Sequence, residues 1–300
     1  SKEVKKKYKD FESRSEKLMP LFKVTSFIHK HQIFRPFLHI PNVFVNAWAH
    51  LLGPIILKSK KLKKQLFRGL DALYPKIISH NQKEKLFHAN AVYMTMLYLD
   101  AMFNSSNINA KTLNRFIQFK NFKYIEEALQ KGRGAIIPTV HVGMFFQVLA
   151  GLCYYRPKLQ VTTLYQLRNK TMYENIISRP ELTNFHVIPT TSFKELKPIL
   201  TEHLQKNHLL VVYYDYSKAH QLRVPFDANK YPYLITTPQS IFKLHRITES
   251  PIIPAKLYPD KEYGKSIINF TNPEIISHIS KKFWNAPDRK STRLNSSHYS

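Results

Sequence analysis

The stretch that decides the fold reads Gly132-Arg133-Gly134-Ala135-Ile136-Ile137-Pro138-Thr139-Val140-His141-Val142-Gly143-Met144-Phe145-Phe146-Gln147. After a turn bounded by two glycines, residues 135–140 are uncharged and rich in β-branched side chains, which is typical of a buried parallel strand. Residues 142–155 are apolar almost all round and predict a helix packed against a sheet. His141 therefore falls at a strand-to-helix corner, the place where open α/β sheets bind ligands. Such a position suits a general base, although a packed or capping histidine is the ordinary alternative.

Beyond His141 the pattern alternates between short strands and helices. The predicted strands cover 161–165, 185–188 and 208–214, and the predicted helices cover 170–178 and 192–205. Such alternation favours an α/β fold with a mostly parallel central sheet flanked by helices. Before the decisive stretch, residues 62–130 are predicted to be helical.

The chain is strongly basic, with 46 Lys and Arg against 20 Asp and Glu and a net charge of +26. An anionic partner is expected, namely a phospholipid surface, an acidic carrier protein or nucleic acid. No nucleic-acid-binding motif accompanies the charge, so nucleic acid is not expected. The single cysteine, Cys153, excludes a disulfide scaffold within the chain. No cluster of Cys and His has metal-ligand spacing, so no metal is expected.

Membrane association is predicted for residues 40–64. Residues 40–57 contain no Lys, Arg, Asp or Glu, and as a helix they would extend about 27 Å, close to the hydrocarbon thickness of a bilayer. Because polar residues such as Asn42, Asn46 and His50 interrupt the segment, an interfacial or re-entrant helix is favoured over a spanning one. The Lys cluster at 58–64 suits an anionic leaflet, although a core helix beside a solvated charge run is the alternative. Residues 1–35 form a basic N-terminal segment.

The decisive stretch resembles the first motif of the lipid A biosynthesis acyltransferases, the lauroyl and myristoyl transferases of the lysophospholipid acyltransferase superfamily. That motif is a glycine-rich turn, an apolar strand and then His-aromatic-Gly-Asn-aromatic-Glu, of which His141 and Gly143 match the His and the Gly. The resemblance implies that His141 removes the proton of an acceptor hydroxyl and that backbone N–H groups near Gly143 stabilise the oxyanion. The family's acidic residue, five positions after the histidine, is Phe146 here, and the adjacent Gln147 cannot supply its negative charge.

Other segments between about residues 37 and 270, before and after this stretch, are similar to segments of the family and occur in the same order. They imply three more substrate-side candidates, Arg168, Asp215 and Arg223. Arg168 is displaced by two positions from the family's Arg and has the alternative of an ordinary exposed arginine. Asp215 follows the predicted strand 208–214, where it either supports His141 or caps a loop. Arg223 opens a segment that is similar to the family's Val-Pro-Phe block.

The resemblance thus implies one acyltransferase-like domain over 36–287, which moves a fatty acyl group from acyl carrier protein or coenzyme A to a lipid hydroxyl. It implies no cofactor besides that acyl donor. We expect a monomer on the cytoplasmic face of the cell membrane, bound to anionic lipid. The alternative is a non-catalytic lipid-binding homologue that lost the carboxylate. Residues 288–300 resemble a translated sequencing adapter and are expected not to be native.

Overall fold

A computed structural model describes residues 47–53, 60–73, 78–103, 108–141, 145–165, 182–190, 192–213, 221–227, 231–238, 240–259 and 265–274. Residues 47–53 are helical. The further helices are α1 (Lys60–Leu73), α2 (His80–Phe103), α3 (Leu113–Phe116), α4 (Lys123–Gln130), α5 (Phe145–Tyr155), α6 (Phe193–Gln205) and α7 (Ser240–Thr248). The strands are β1 (Ile117–Lys120), β2 (Ala135–Thr139), β3 (Val161–Tyr165), β4 (Phe185–Pro189), β5 (Leu209–Tyr213), β6 (Gln221–Asp227), β7 (Tyr231–Pro238), β8 (Ala255–Pro259) and β9 (Ser266–Phe270).

The central sheet has four strands in the order β2-β5-β3-β4, and all of its pairings are parallel. Its strands begin and end within two residues of the predicted ones, so the α/β fold with a mostly parallel sheet is confirmed. Because parallel strands run in one direction, their carboxyl ends share one edge of the sheet. In the register between β2 and β5, Thr139 lies opposite Tyr213 at that edge.

The two faces of the sheet bury separate apolar clusters, since successive side chains of a strand point to opposite faces. One cluster joins β2 and β5 to α5 and contains Ala135, Ile137, Leu209, Val211, Val148, Leu149 and Leu152. The other joins the same strands to α6 and α7 and contains Ile136, Leu210, Leu196, Leu200, Leu204, Ile241 and Leu244. Each fully buried aliphatic side chain contributes about 1.5–3 kcal/mol relative to exposure. The strand that leads to His141 is therefore packed on both faces.

A second sheet has the order β1-β9-β8. It lies beside β2, and an isolated parallel bridge joins Ile136 of β2 to Ile252, shortly before β8. Ile136 donates its N–H to the Pro251 carbonyl at 2.9 Å, and its own carbonyl accepts from the Ile253 N–H at 2.8 Å. The backbone of Pro138, two residues after Ile136, is directed to the same side of β2. Because proline has no N–H to donate, the pairing between β2 and residues 251–253 does not extend to Pro138. The chain then enters β8 and pairs antiparallel with β9.

The prediction that residues 62–130 are helical is wrong at strand β1. Residues 117–120 are a strand that pairs in parallel with β9, almost 150 residues later in the chain. Local periodicity cannot report a pairing partner so distant, and the short segment between two helices was therefore misassigned. The antiparallel hairpin β6–β7 forms a third, two-stranded sheet.

The membrane-associating segment predicted at 40–64 is described at residues 47–53 and 60–64 only, and both parts are helical. No helix in the described part of the chain is long and apolar enough to cross a bilayer. The segments 1–35 and 288–300 and the helix predicted at 170–178 lie outside the described residues.

Candidate functional site

His141 lies just beyond the carboxyl end of β2, as the sequence predicts. Its imidazole is exposed and stacks on the ring of Tyr213, the last residue of β5, with ring centroids 4.5 Å apart and an interplanar angle of 28°. Tyr213 is itself half-buried. The site is thus built where two neighbouring parallel strands end, and it presents a titratable side chain to solvent.

Two buried threonine hydroxyls fix the strands directly below this edge. The Thr139 hydroxyl donates to the Ala255 carbonyl at 3.2 Å and ties the end of β2 to β8. The Thr163 hydroxyl donates to the Val211 carbonyl at 3.0 Å and ties β3 to β5. Both side chains are fully buried, where an unsatisfied hydroxyl would cost about 1–3 kcal/mol. These bonds hold the strand ends that carry His141 and Tyr213.

The opposite, amino-terminal end of β2 is clamped by the turn at 132–134. Gly134 donates its N–H to the side-chain oxygen of Asn207 at 2.9 Å, and the Asn207 amide donates to the Leu129 carbonyl at 3.0 Å. The Ser250 hydroxyl donates to the Arg133 carbonyl, and the Arg133 guanidinium pairs with Glu249. The strand is therefore anchored at one end, and the exposed histidine follows its other end.

The described residues place two of the five predicted site residues. His141 is at the sheet edge, and Arg223 is in β6, where its backbone pairs with Thr236 of β7. That hairpin is a sheet separate from the one whose edge His141 follows. Gly143, Arg168 and Asp215 lie outside the described residues.

Tyr213 is the site residue that sequence reasoning missed. In the segment Tyr213-Tyr214-Asp215, the sequence predicted a role for Asp215, because a carboxylate is the group that usually orients an imidazole. The signal available in the sequence was an aromatic residue at the end of the predicted strand 208–214. That signal is weak, because aromatic residues are common in strands for packing reasons alone.

A cluster of three histidines, unforeseen from the sequence, lies at the amino-terminal edge of the same sheet. The Nδ1 atoms of His203 and His208 are 3.0 Å apart, and the Thr162 hydroxyl oxygen is 2.9 Å from the first and 3.1 Å from the second. The ring of His186 stacks on His208 at 5.0 Å and meets the Gln160 side chain through Nε2. The triangle of close polar atoms suits two neutral rings.

Burial accounts for the protonation state of this cluster. Desolvation, and to a lesser extent the charges of His203, His186 and Lys206, lowers the pKa of His208 to about 4. Desolvation is also the largest cause that lowers the pKa of His186 and of His203, although Glu202 opposes it at His203. In the described residues, no group of three or more His, Cys, Asp or Glu side chains is arranged to hold a metal ion.

The helices near the start of the described chain carry a basic face and an apolar groove. Lys60, Lys64 and Arg68 are exposed and recur at i, i+4 and i+8 along α1, so they share one face. A groove of about 700 Å³ lies between the helix at 47–53 and α2, where its lining includes His50, Val92, Tyr93 and Met96. The side chains of Trp48 and Leu51, on the helix at 47–53, are exposed by 54% and 63%. A cationic and an apolar surface therefore occur on neighbouring helices.

Comparison with protein families identifies a match for this chain. The family model for bacterial lipid A biosynthesis acyltransferase matches residues 32–281, more than three quarters of the chain. The match includes all helices from α1 to α7 and all nine labelled strands. No curated protein matches the chain.

Proposed function

Since this chain belongs to the bacterial lipid A biosynthesis acyltransferase family, we propose that it moves a fatty acyl chain from an acyl thioester to a lipid hydroxyl. Family membership implies an acyltransferase. The observation that carries the finer proposal is the exposed His141 at the carboxyl edge of the parallel sheet, stacked on Tyr213. Substrates reach that edge in open α/β sheets, and His is the side chain most often used for proton transfer near neutral pH.

In the proposed reaction, the imidazole of His141 takes the proton of the acceptor hydroxyl while the hydroxyl oxygen attacks the thioester carbon. Backbone N–H groups around Gly143 stabilise the oxyanion of the tetrahedral intermediate, a contribution of about 3 kcal/mol per well-placed donor. The carbon–sulfur bond then breaks, and the imidazolium returns its proton to the departing thiolate. The products are the O-acylated lipid and the free thiol of the carrier, and the histidine ends neutral as it began.

Three further residues have proposed supporting roles. Arg168 and Arg223 bind phosphate groups of the lipid acceptor or of the thioester carrier, for which the planar guanidinium is well suited. Asp215 follows β5 two residues after Tyr213, and we assign it to support of the His141 imidazolium. This role is supported by the register that brings the ends of β2 and β5 together.

The acceptor is a membrane lipid, so the proposal includes association with the cytoplasmic face of the inner membrane. It is supported by the net charge of +26 and by the exposed face formed by Lys60, Lys64 and Arg68 on α1. Basic residues near an anionic surface contribute about 1 kcal/mol each. Exposed Trp48 and Leu51 add apolar area that a bilayer interface would cover.

The activity is tested with protein bound to mixed-lipid vesicles, radiolabelled acyl donors on both acyl carrier protein and coenzyme A, and lipid acceptors with free hydroxyls. We expect labelled lipid with the unmodified chain and a loss of at least 100-fold with His141→Ala. The control is His80→Ala, which removes an exposed histidine from α2. Transfer that is indifferent to His141→Ala refutes the mechanism.

The same assay tests the alternative function, a lipid-binding homologue without turnover. The observation that favours this alternative is Phe146 at the position of the family's acidic residue. Vesicle binding without transfer from either donor, for the unmodified chain, would establish it.

Membrane association has its own matched pair of variants. Lys60→Gln/Lys64→Gln removes two charges from the α1 face, whereas Lys131→Gln/Lys158→Gln removes two exposed charges elsewhere. At about 1 kcal/mol per charge, the first pair should weaken binding to vesicles containing phosphatidylglycerol by about 30-fold. Equal losses for the two pairs would show that the α1 face is not the contact surface.

A further inference from the structure

We infer that Tyr213 is a positioning residue of His141, which holds the imidazole plane by ring stacking. This inference rests on the proposed function of His141 as the base. The two rings are nearly parallel, with centroids 4.5 Å apart and an interplanar angle of 28°. Tyr213 ends a strand that pairs along its whole length with β2, so its backbone is fixed relative to the residues that precede His141.

Stacking on Tyr213 restricts the rotation of the exposed His141 side chain. An imidazole on a solvent-facing corner has two side-chain torsions to restrict before a nitrogen can meet an acceptor hydroxyl. A carboxylate five positions later would restrict both by accepting a ring N–H, but Phe146 has no such acceptor. A stacked neighbour restricts the same torsions by covering one ring face.

Stacking also leaves the chemistry of the imidazole in its own plane. The N–H bond and the nitrogen lone pair of a neutral imidazole point outward within the ring plane. At an angle of 28°, those directions run alongside the Tyr213 ring and do not point into it. The acceptor hydroxyl therefore approaches along the imidazole edge, while the covered face excludes water from one side.

The tyrosine ring can also interact with the positive charge that arises during the reaction. Once the imidazole has taken the hydroxyl proton, its positive charge lies over the face of an aromatic ring, which attracts cations through its quadrupole. Part of the electrostatic support that a carboxylate would give is thus available from Tyr213. The phenol hydroxyl has no part in this interaction, so phenylalanine should serve equally well.

The deciding experiment compares Tyr213→Phe with Tyr213→Leu and Tyr213→Met in the vesicle assay, next to His141→Ala. We expect kcat to fall by about 10-fold in Tyr213→Leu and Tyr213→Met, because both the fixed ring plane and the aromatic face are lost. The KM for the acyl donor should stay within about 2-fold, because Tyr213 acts on the base and not on the bound donor. Tyr213→Phe should keep kcat within about 2-fold of the unmodified chain.

A spectroscopic measurement on the unmodified chain tests the contact without relying on any variant at Tyr213. In protein with labelled histidine, the His141 ring C–H signals, assigned by their loss in His141→Ala, should be shifted upfield by the Tyr213 ring current. Unshifted signals overturn the inference, as does a normal kcat in a folded Tyr213→Leu or Tyr213→Met variant. If His141→Ala itself retains activity, the proposed function fails, which is a different outcome.

Discussion

Replacement of Gly134 by alanine should destabilise the protein far more than the same change at Gly132, two residues earlier. Both glycines have positive φ angles, +60° at Gly134 and +68° at Gly132, which L-residues with a Cβ adopt at a cost of about 1–2 kcal/mol. They differ in their surroundings. A Cβ at Gly132 would meet nothing within 4 Å, whereas a Cβ at Gly134 would lie 2.3 Å from the His208 carbonyl oxygen and 2.9 Å from that of Leu204.

The expected loss of stability in Gly134→Ala is the sum of two costs, that of a positive φ angle and that of the steric overlap with the two carbonyl oxygens. Neither carbonyl oxygen can rotate away as a flexible side chain could, so the turn or the start of β5 must move. Overpacking of this kind costs about 1–3 kcal/mol, and the bond from the Gly134 N–H to Asn207 is weakened as well. We therefore expect a loss of about 3 kcal/mol for Gly134→Ala and about 1 kcal/mol for Gly132→Ala.

The measurement is unfolding in urea and by heat, followed by circular dichroism, for both variants. For a chain of this size, about 3 kcal/mol lowers the Tm by roughly 6–10 °C, and about 1 kcal/mol lowers it by roughly 2–4 °C. Because the left-handed conformation is common to both sites, the difference between them isolates the contact with β5. If the two variants lose the same stability, the close approach between the turn and the backbone at 204–208 is wrong.

Three other predictions concern residues next to the same sheet. Since burial lowers the pKa of His208 to about 4, the unfolded chain takes up this proton near pH 6.5 but the folded protein only near pH 4. The contribution of His208 to the unfolding free energy should thus be constant above about pH 7 and fall by about 1–2 kcal/mol, after allowance for solvent screening, as the pH drops from 6.5 to 4. Urea titrations at several pH values should show this slope, and it should flatten in His208→Gln. Burial also raises the pKa of the Cys153 thiol to about 12, so maleimide labelling at pH 8, read by mass spectrometry, should be negligible until urea unfolds the chain. Asn207→Ala loses two hydrogen bonds and a residue suited to φ of 65°, so it should lower the unfolding free energy by about 2–3 kcal/mol, whereas Asn207→Gly should lose less because it keeps the backbone conformation.

The central sheet could be predicted from the sequence because its strands are short uncharged runs that alternate with helical segments. Residues 135–140 and 161–165 are such runs, and both are strands within one residue of the expected ends. The helix predicted at 192–205 was equally clear, since Ser192 caps it and its buried leucines recur every four residues. Local pattern decides all three elements.

Elements that depend on distant partners could not be predicted in this way. The strand β1 exists because β9 pairs with it, and neither segment reveals the other in its sequence. The histidine cluster has the same origin, since His186 and His203 lie on a strand and a helix whose packing fixes their distance. Periodicity reports which face of an element is buried, and it does not report which side chains meet there.

The sequence predicts the position of His141 but not its contact with Tyr213. This difference affects how the replacement of the family's acidic residue by Phe146 is interpreted. A motif with an acid five positions after a histidine keeps both members on one short segment, so its loss is visible in any sequence. Tyr213 is more than seventy positions away and reaches His141 only because β2 and β5 are neighbours in register. A residue that orients the histidine from a neighbouring strand is far away in the sequence, so the two residues do not form a recognisable motif. Phe146 alone therefore does not decide whether the site is active, because the Tyr213 ring contacts the imidazole from outside the motif.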